Sequence, residues 1–170
     1  MSRVLFIFLM SMHLSASDGK PRDEFWSALQ ALCNLTFQGE IALNKSTHKL
    51  EGVLEIKVHK CSPNRIEIPF AIGEDRSRTW ILTRTQTGLR LKHEHRMPDG
   101  SLDEVTDYGG DTQTVGEAGR QTFIVDDYTR ELVKGTDKNV WVFEIKDNSL
   151  AYELYKGDET PVFRAVFQLR

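Results

Sequence analysis

Apolar and polar residues alternate with a period of two along most of the chain beyond residue 35. Rows such as Leu54/Ile56/Val58 and Ile66/Ile68/Phe70/Ile72 have mostly charged or polar residues between their members. Side chains alternate across a β-strand, so each row predicts a strand with one buried face. The predicted strands cover residues 36–43, 51–60, 64–72, 78–86, 89–97, 102–108, 120–125, 139–146, 150–156 and 162–169.

The connections between these strands are short and rich in turn-forming residues, as in Pro98-Asp99-Gly100 and Asp147-Asn148-Ser149. Short connections pair neighbouring strands in sequence order, as a meander. A series of strands that each have one apolar face satisfies its edges by closing on itself. We therefore predict an all-β fold, an antiparallel up-and-down barrel of about 8–10 strands.

Three segments depart from the alternation. Residues 21–33 begin with Pro21, which suits a first helical turn, and carry apolar residues at helical spacing, so they predict an N-terminal helix that plugs one end of the barrel. Residues 126–134 predict a short late helix that ends before Gly135. Residues 109–119 contain four glycines and no apolar period, which indicates a long mobile loop.

The first 17 residues have the composition of a signal peptide: Arg3, an apolar run over residues 4–12, and the small residues Ser15-Ala16-Ser17. The run is too short to span a bilayer. No cysteine stands at the cleavage point, which excludes a lipoprotein. We expect residues 18–170 to form a single barrel domain of an exported protein, periplasmic or secreted, with no membrane span after cleavage.

The charges exclude two classes of partner. The whole chain has a formal net charge of −3, and without the leader 21 Lys and Arg stand against 25 Asp and Glu, a net charge of −4. Nucleic-acid binding needs a clustered basic face, and anionic membranes attract polybasic stretches. Neither is present in the sequence, so we predict no nucleic-acid partner and no binding to an anionic membrane surface. The expected partner is a small-molecule ligand, for the reasons given below. The sequence indicates no particular cofactor.

The two cysteines of an exported chain are expected to pair. A Cys33–Cys61 disulfide would tie the N-terminal helix to the end of the second strand. Its contribution in the chain-entropy model is roughly 3 kcal/mol. The alternative is a reactive thiol.

The candidate chemistry is concentrated on the strand over residues 89–97. Its even positions are charged, and its odd positions read Leu, Leu, His, His, Met. His93 and His95 should therefore point into the barrel with the leucines. A two-residue turn at Thr87-Gly88 would pair His95 with Trp80, and Leu82 with His93.

Two registers are open for the next hairpin. A two-residue turn at Asp99-Gly100 places Glu104 opposite His95, whereas a three-residue loop that includes Pro98 places Asp103 there. Both registers bring a carboxylate beside His95. In the first register Thr106 lies opposite His93, and Tyr108 follows on the same face.

Three functions fit this group of side chains. It could form a pocket with apolar walls and a few converging polar groups. His93 and His95 could instead bind a metal, with a carboxylate completing the ligand set, in a metal-binding protein or enzyme. In the third hypothesis the buried imidazoles only set the strand register, and a filled barrel acts as an envelope interaction module. We favour a pocket for a small amphipathic or hydrophobic molecule, lined by Trp80, His93, His95, Glu104, Thr106 and Tyr108.

Two further observations bear on function. The run from Glu74 to Arg78 alternates in charge, and it predicts either a cap or anion site at the pocket mouth or a solvated loop with local ion pairs. The sequence has no nucleophile elbow, no Gly-rich phosphate loop and no C-x-x-C pair. Catalysis would therefore depend on the two histidines.

Several stretches of the chain together carry a resemblance to known proteins: Ser77–Trp80, Gly88–Arg96, Asp99-Gly100 and Thr106–Thr112, with Phe25-Trp26, Leu29–Cys33 and Phe163–Phe167. These stretches resemble a family of exported bacterial proteins that has no assigned activity. The resemblance implies a bacterial envelope or secreted location and carries no catalytic residues. In architecture the chain also resembles lipocalins and their calycin relatives, although it has Phe37-Gln38-Gly39 where lipocalins carry Gly-x-Trp.

Overall fold

The computed structural model describes residues 19–46 and 50–169, so the predicted signal peptide lies outside the described residues. This part of the chain forms ten antiparallel strands and two helices, and the strands close into a barrel. The predicted all-β barrel with an early and a late helix is confirmed. In chain order the elements are α1 (Lys20–Ala31), β1 (Thr36–Asn44), β2 (Leu54–Lys57), β3 (Arg65–Ile72), β4 (Asp75–Arg84), β5 (Leu89–His95), β6 (Tyr108–Asp111), β7 (Arg120–Val125), α2 (Asp127–Leu132), β8 (Asn139–Lys146), β9 (Ser149–Lys156) and β10 (Phe163–Gln168).

Every strand pairs with its neighbour in the sequence, and β1 pairs with β10 to close the barrel. This confirms the predicted meander. Because the strands alternate in direction, all odd-numbered strands finish at the same end, which we call the open end. The opposite end, where the even-numbered strands finish, is called the closed end.

The helix α1 covers the closed end. It buries Phe25, Trp26 and Leu29 against the interior, and each such side chain contributes about 1.5–3 kcal/mol of hydrophobic free energy. Arg84, the last residue of β4, forms an ion pair with Asp23 of the helix, and its guanidinium lies 5.7 Å from the centre of the Trp26 ring. The predicted helical plug is therefore present.

The disulfide between Cys33 and Cys61 also lies at the closed end. It joins the segment after α1 to the connection between β2 and β3, with the two Cα atoms 6.2 Å apart. The predicted pairing is confirmed.

The register of the β4–β5 hairpin differs from the prediction by two residues. Trp80 pairs with His93 and Arg78 with His95, so the predicted Trp80–His95 and Leu82–His93 pairs are wrong. The turn residues are Gln86-Thr87, because Thr85 N donates to Gly88 O over 2.8 Å and Gly88 N donates to the Thr85 hydroxyl over 2.9 Å. A shift of two residues leaves every side chain on its predicted face.

The predicted strand over residues 102–108 is wrong. Only its beginning pairs: Met97 N donates to Ser101 O and Asp103 N to His95 O, the register of the three-residue loop. The Asp103 side chain then accepts from Val105 N over 2.9 Å, and Asp107 has a φ of 57°. This turn chemistry breaks the ladder until Tyr108 begins β6.

The strand β6 instead extends into the predicted glycine loop and includes residues 109–111. Here the backbone of β7 comes very close: a Cβ at Gly110 would lie 1.9 Å from the carbonyl oxygen of Ile124. Glycine allows that approach, although it is a poor strand former in general. The short late helix α2 follows β7 as predicted, and the Asp126 side chain caps it by accepting from Thr129 N.

Candidate functional site

A cavity of about 480 Å³ opens at the open end of the barrel. Its inner part is formed by Trp80 on β4, His93 on β5 and Tyr152 on β9, which are 2%, 4% and 7% exposed. Residues at the outer part, which we call the rim, include the exposed Lys45 and Lys156. The cavity therefore becomes more polar from the inside outwards.

His93 makes hydrogen bonds through both ring nitrogens. Its Nδ1 lies 3.1 Å from the carbonyl oxygen of Tyr108, and its Nε2 lies 2.7 Å from the hydroxyl oxygen of Tyr152. A carbonyl oxygen can only accept, so Nδ1 carries the proton and Nε2 accepts from the tyrosine hydroxyl. Burial lowers the pKa of His93 to about 3, with smaller contributions from His95 and Lys92, so the ring is neutral at neutral pH.

Tyr108 connects the two histidines. Its ring stacks on the His93 ring with centroids 4.7 Å apart, and its hydroxyl lies 3.2 Å from His95 Nε2. Burial raises the pKa of Tyr108 to about 12. His95 is half-buried, and its pKa is lowered by burial and by the nearby charge of Arg78. The result is a series of neutral hydrogen-bonding side chains that runs from the inner part of the cavity towards the rim.

Aromatic rings form much of the inner wall. Trp80 stacks on both Phe70 and Tyr152, with centroid separations of 4.6 and 4.4 Å. The Phe163 ring packs edge-on against Tyr152, with the ring planes at 66° and the centroids 6.2 Å apart. These contacts between side chains hold the rings in place, so the wall is preformed.

Arg78 is the partly buried cation of the rim, with 28% of its side chain exposed. Its Nη1 donates to Asp75 over 2.5 Å. Burial by itself would raise the pKa of Asp75, but hydrogen bonds from Ser77 and Arg78 lower it to about 2. Asp75 therefore stays ionised and orients the guanidinium. Arg76 does not line the cavity, and it pairs with Glu55 on β2, two strands away from β4.

Four of the six predicted ligand-binding residues line the cavity: Trp80, His93, His95 and Tyr108. Thr106 lies beside the site, where its hydroxyl accepts from His95 N over 2.9 Å and donates to His95 O over 3.3 Å. The placement of Glu104 beside His95 is wrong. Glu104 is exposed, because the three-residue turn gives its predicted position to Asp103.

Two inner residues that the sequence did not single out are Phe70 and Tyr152. Both belong to apolar rows whose alternation places them inside the barrel, so their orientation was predictable. Their presence at this site was not, because it depends on which strands face each other across the interior. Tyr152 on β9 reaches His93 on β5, four strands further around the barrel.

The residues that the structure describes do not provide a complete set of metal ligands around His93 and His95. Within residues 19–46 and 50–169, no group of three or more His, Cys, Asp or Glu residues is placed to hold an ion. Both nitrogens of His93 are already engaged in hydrogen bonds. The carboxylate nearest in register to His95, Asp103, acts on that imidazole through its charge.

No family model matches the sequence, and no curated protein or solved structure matches the chain. The resemblance to a family of exported bacterial proteins therefore stays a prediction. The closed antiparallel barrel agrees with the architectural resemblance to lipocalins and calycins. Among the residues that the structure describes, no helix has the length and apolar character needed to cross a membrane.

Proposed function

We propose that this protein binds a small amphipathic or hydrophobic molecule in the cavity at the open end of the barrel. The observation that supports this proposal is the cavity of about 480 Å³ between preformed aromatic walls. Protein interiors pack as densely as organic crystals, so a space of this size is not an ordinary packing defect. It falls within the range of about 300–1,000 Å³ that is typical of ligand pockets.

The distribution of polarity favours an amphipathic ligand. The inner wall offers apolar surface from Phe70 and Trp80, with the neutral hydrogen-bonded pair of His93 and Tyr152 between. Polar and charged side chains lie at the rim. A molecule with an apolar body and a polar end would match both parts.

The disulfide supports an exported location, because such bonds form and persist in oxidising compartments. We propose that the protein is located in the periplasm of a bacterium or is secreted from it. Ligand carriage or capture outside the cytoplasm is then its role, and no step of the proposal requires catalysis.

The proposal is tested with the neutral fluorescent probe N-phenyl-1-naphthylamine. The native chain should bind it saturably, with a rise in fluorescence as the probe leaves water. Leu154→Trp places a large ring in the cavity, because Leu154 is a partly buried residue of its wall. This variant should lose most of the binding.

Val53→Trp is the matched control, since Val53 is 60% exposed and does not line the cavity. It should bind like the native chain. Circular dichroism checks that all three proteins are folded. The proposal is wrong if the native chain shows no saturable binding, or if folded Leu154→Trp binds the probe as well as Val53→Trp does.

A further inference from the structure

We infer that the ligand is an anionic amphiphile, with its acid group at the rim beside Arg78 and Lys156 and its apolar body extending inwards to Trp80. This inference rests on the proposed binding function and specifies the chemical class of the ligand. It is carried by the distribution of charge in the cavity.

The rim is cationic although the protein is not. Among the described residues that line the cavity, the charged ones are Lys45, Arg78 and Lys156, and none is Asp or Glu. The chain as a whole has a net charge of −3. The positive rim is therefore a local feature, and it would attract an anion and repel a cation.

The guanidinium of Arg78 is placed to bind an acid group. Its strand position is fixed by pairing with His95, and Asp75 holds one of its nitrogens. A guanidinium has five N–H donors, so the contact with Asp75 leaves others for a ligand. Since the side chain is only partly exposed, a charge-assisted hydrogen bond there is less screened by water than on an open surface.

The two lysines have different surroundings at the rim. Lys45 follows β1, and its Nζ donates to the Thr160 hydroxyl over 3.2 Å. Lys156 ends β9 and is exposed. Both add positive charge, but neither is enclosed, so we assign Arg78 the main contact.

The inner part of the cavity determines the orientation. Its polar groups, His93 and Tyr152, bond to each other, and the imidazole is neutral. An ionised acid moved into this part would lose its hydration without gaining a charged partner, which is strongly unfavourable. The acid group therefore stays at the rim, and the apolar body takes the inner position.

The test compares three probes with the same twelve-carbon chain: dodecanoate, 1-dodecanol and dodecyltrimethylammonium. The two ionic probes are kept below their micelle concentrations, and dodecanol is kept below its solubility limit. Isothermal titration calorimetry on the native chain should show dodecanoate binding about ten-fold or more tightly than dodecanol. The ammonium probe should bind most weakly. Raising the sodium chloride concentration should weaken the binding of dodecanoate and leave that of dodecanol nearly unchanged.

Two substitutions identify the contact. Arg78→Gln should lower the affinity for dodecanoate by about ten-fold and leave that for dodecanol unaffected. Arg76→Gln is the matched control, because Arg76 is a neighbouring arginine that pairs with Glu55 and does not line the cavity. It should change neither affinity. Lys156→Gln, at an exposed position, should lower dodecanoate affinity by a smaller factor.

The outcomes separate the two proposals. Equal affinity of the native chain for dodecanoate and dodecanol would overturn the inference that the ligand is anionic. It would not contradict the proposed binding function. An equal loss of both affinities in Arg78→Gln would do the same. Failure of all three probes while N-phenyl-1-naphthylamine binds also overturns the inference. If that neutral probe fails too, the binding function itself is wrong.

Discussion

The Nε2 atom of His93 accepts a hydrogen bond of 2.7 Å from the hydroxyl of Tyr152, which reaches it from the strand four positions around the barrel. The two side chains are almost fully buried. The bond therefore links two walls of the cavity. The tautomer of the imidazole is fixed by its other bond, which Nδ1 donates to the carbonyl oxygen of Tyr108.

Tyr152→Phe should lower the stability of the protein without changing its fold. The substitution removes the hydroxyl and leaves a buried acceptor on His93 without its partner. An unsatisfied buried polar group costs about 1–3 kcal/mol. Urea denaturation should show a lower midpoint with an unchanged m-value. Equal midpoints for the native chain and the variant would show that the bond does not stabilise the fold.

The buried imidazole also predicts how stability depends on pH. The folded-state pKa of His93 is about 3, whereas a free histidine titrates near 6.5. Between these values the unfolded chain binds a proton that the folded chain does not. The contribution of His93 is therefore fully present above pH 6.5 and is lost as the pH falls from there towards 3. Its slope is about 1.4 kcal/mol per pH unit.

Urea denaturation of the native chain and of His93→Gln between pH 4.5 and 7.5 measures this slope. The free energy of unfolding of the native chain should fall more steeply with decreasing pH than that of the variant. His95, whose pKa is also lowered, contributes in the same direction in both proteins. Nuclear magnetic resonance provides an independent check, and titration of the His93 ring near pH 6.5 would contradict the prediction.

Removing the disulfide should destabilise the fold and leave the cavity intact. The bond closes a loop with a sequence separation of 28, which corresponds to about 3–4 kcal/mol in the chain-entropy model. It lies at the closed end, whereas the cavity lies at the open end. Cys33→Ala with Cys61→Ala should therefore lower the urea midpoint and keep the affinity for N-phenyl-1-naphthylamine. Loss of affinity in the folded variant would show that the two ends are coupled.

Glu153 is a buried carboxylate on the outer face of the barrel, and replacing it with glutamine should lower the stability of the protein strongly. Glu153 is 1% exposed and accepts hydrogen bonds from Arg120 over 3.1 Å and from the Tyr155 hydroxyl over 2.8 Å. It also pairs with Arg164. Glu153→Gln keeps the shape but leaves two guanidinium groups without this anion. We expect a loss of about 2–3 kcal/mol in the free energy of unfolding.

The control for this substitution is Glu159→Gln, at an exposed position in the connection between β9 and β10. Exposed charges contribute about 0–1 kcal/mol, so the control should be nearly neutral. Urea denaturation at low and high salt compares both variants. A Glu153→Gln protein as stable as the control would show that the two arginines gain nothing from the buried carboxylate.

The alternation of apolar and polar residues by itself determined the class of fold, the early and late helices, and the inward orientation of His93 and His95. These features follow from local rules: side chains alternate along a strand, and apolar rows must be buried. The register that these rules predicted for the β4–β5 hairpin differs from the observed one by two residues. Because the shift is even, every side chain is still on the predicted face.

Only the tertiary structure decided which inward side chains meet. The carboxylate expected beside His95 at Glu104 is on the surface, because Asp103 and Asp107 turn the chain there. The partner of His93 is Tyr152, 59 residues away in the sequence. Closure of the barrel brings such strands face to face, and it depends on pairing and tilt summed over all ten strands. No local sequence pattern specifies the combined pairing and tilt of ten strands. The sequence could therefore place the site in the barrel interior, but it could not identify all the residues that form the site.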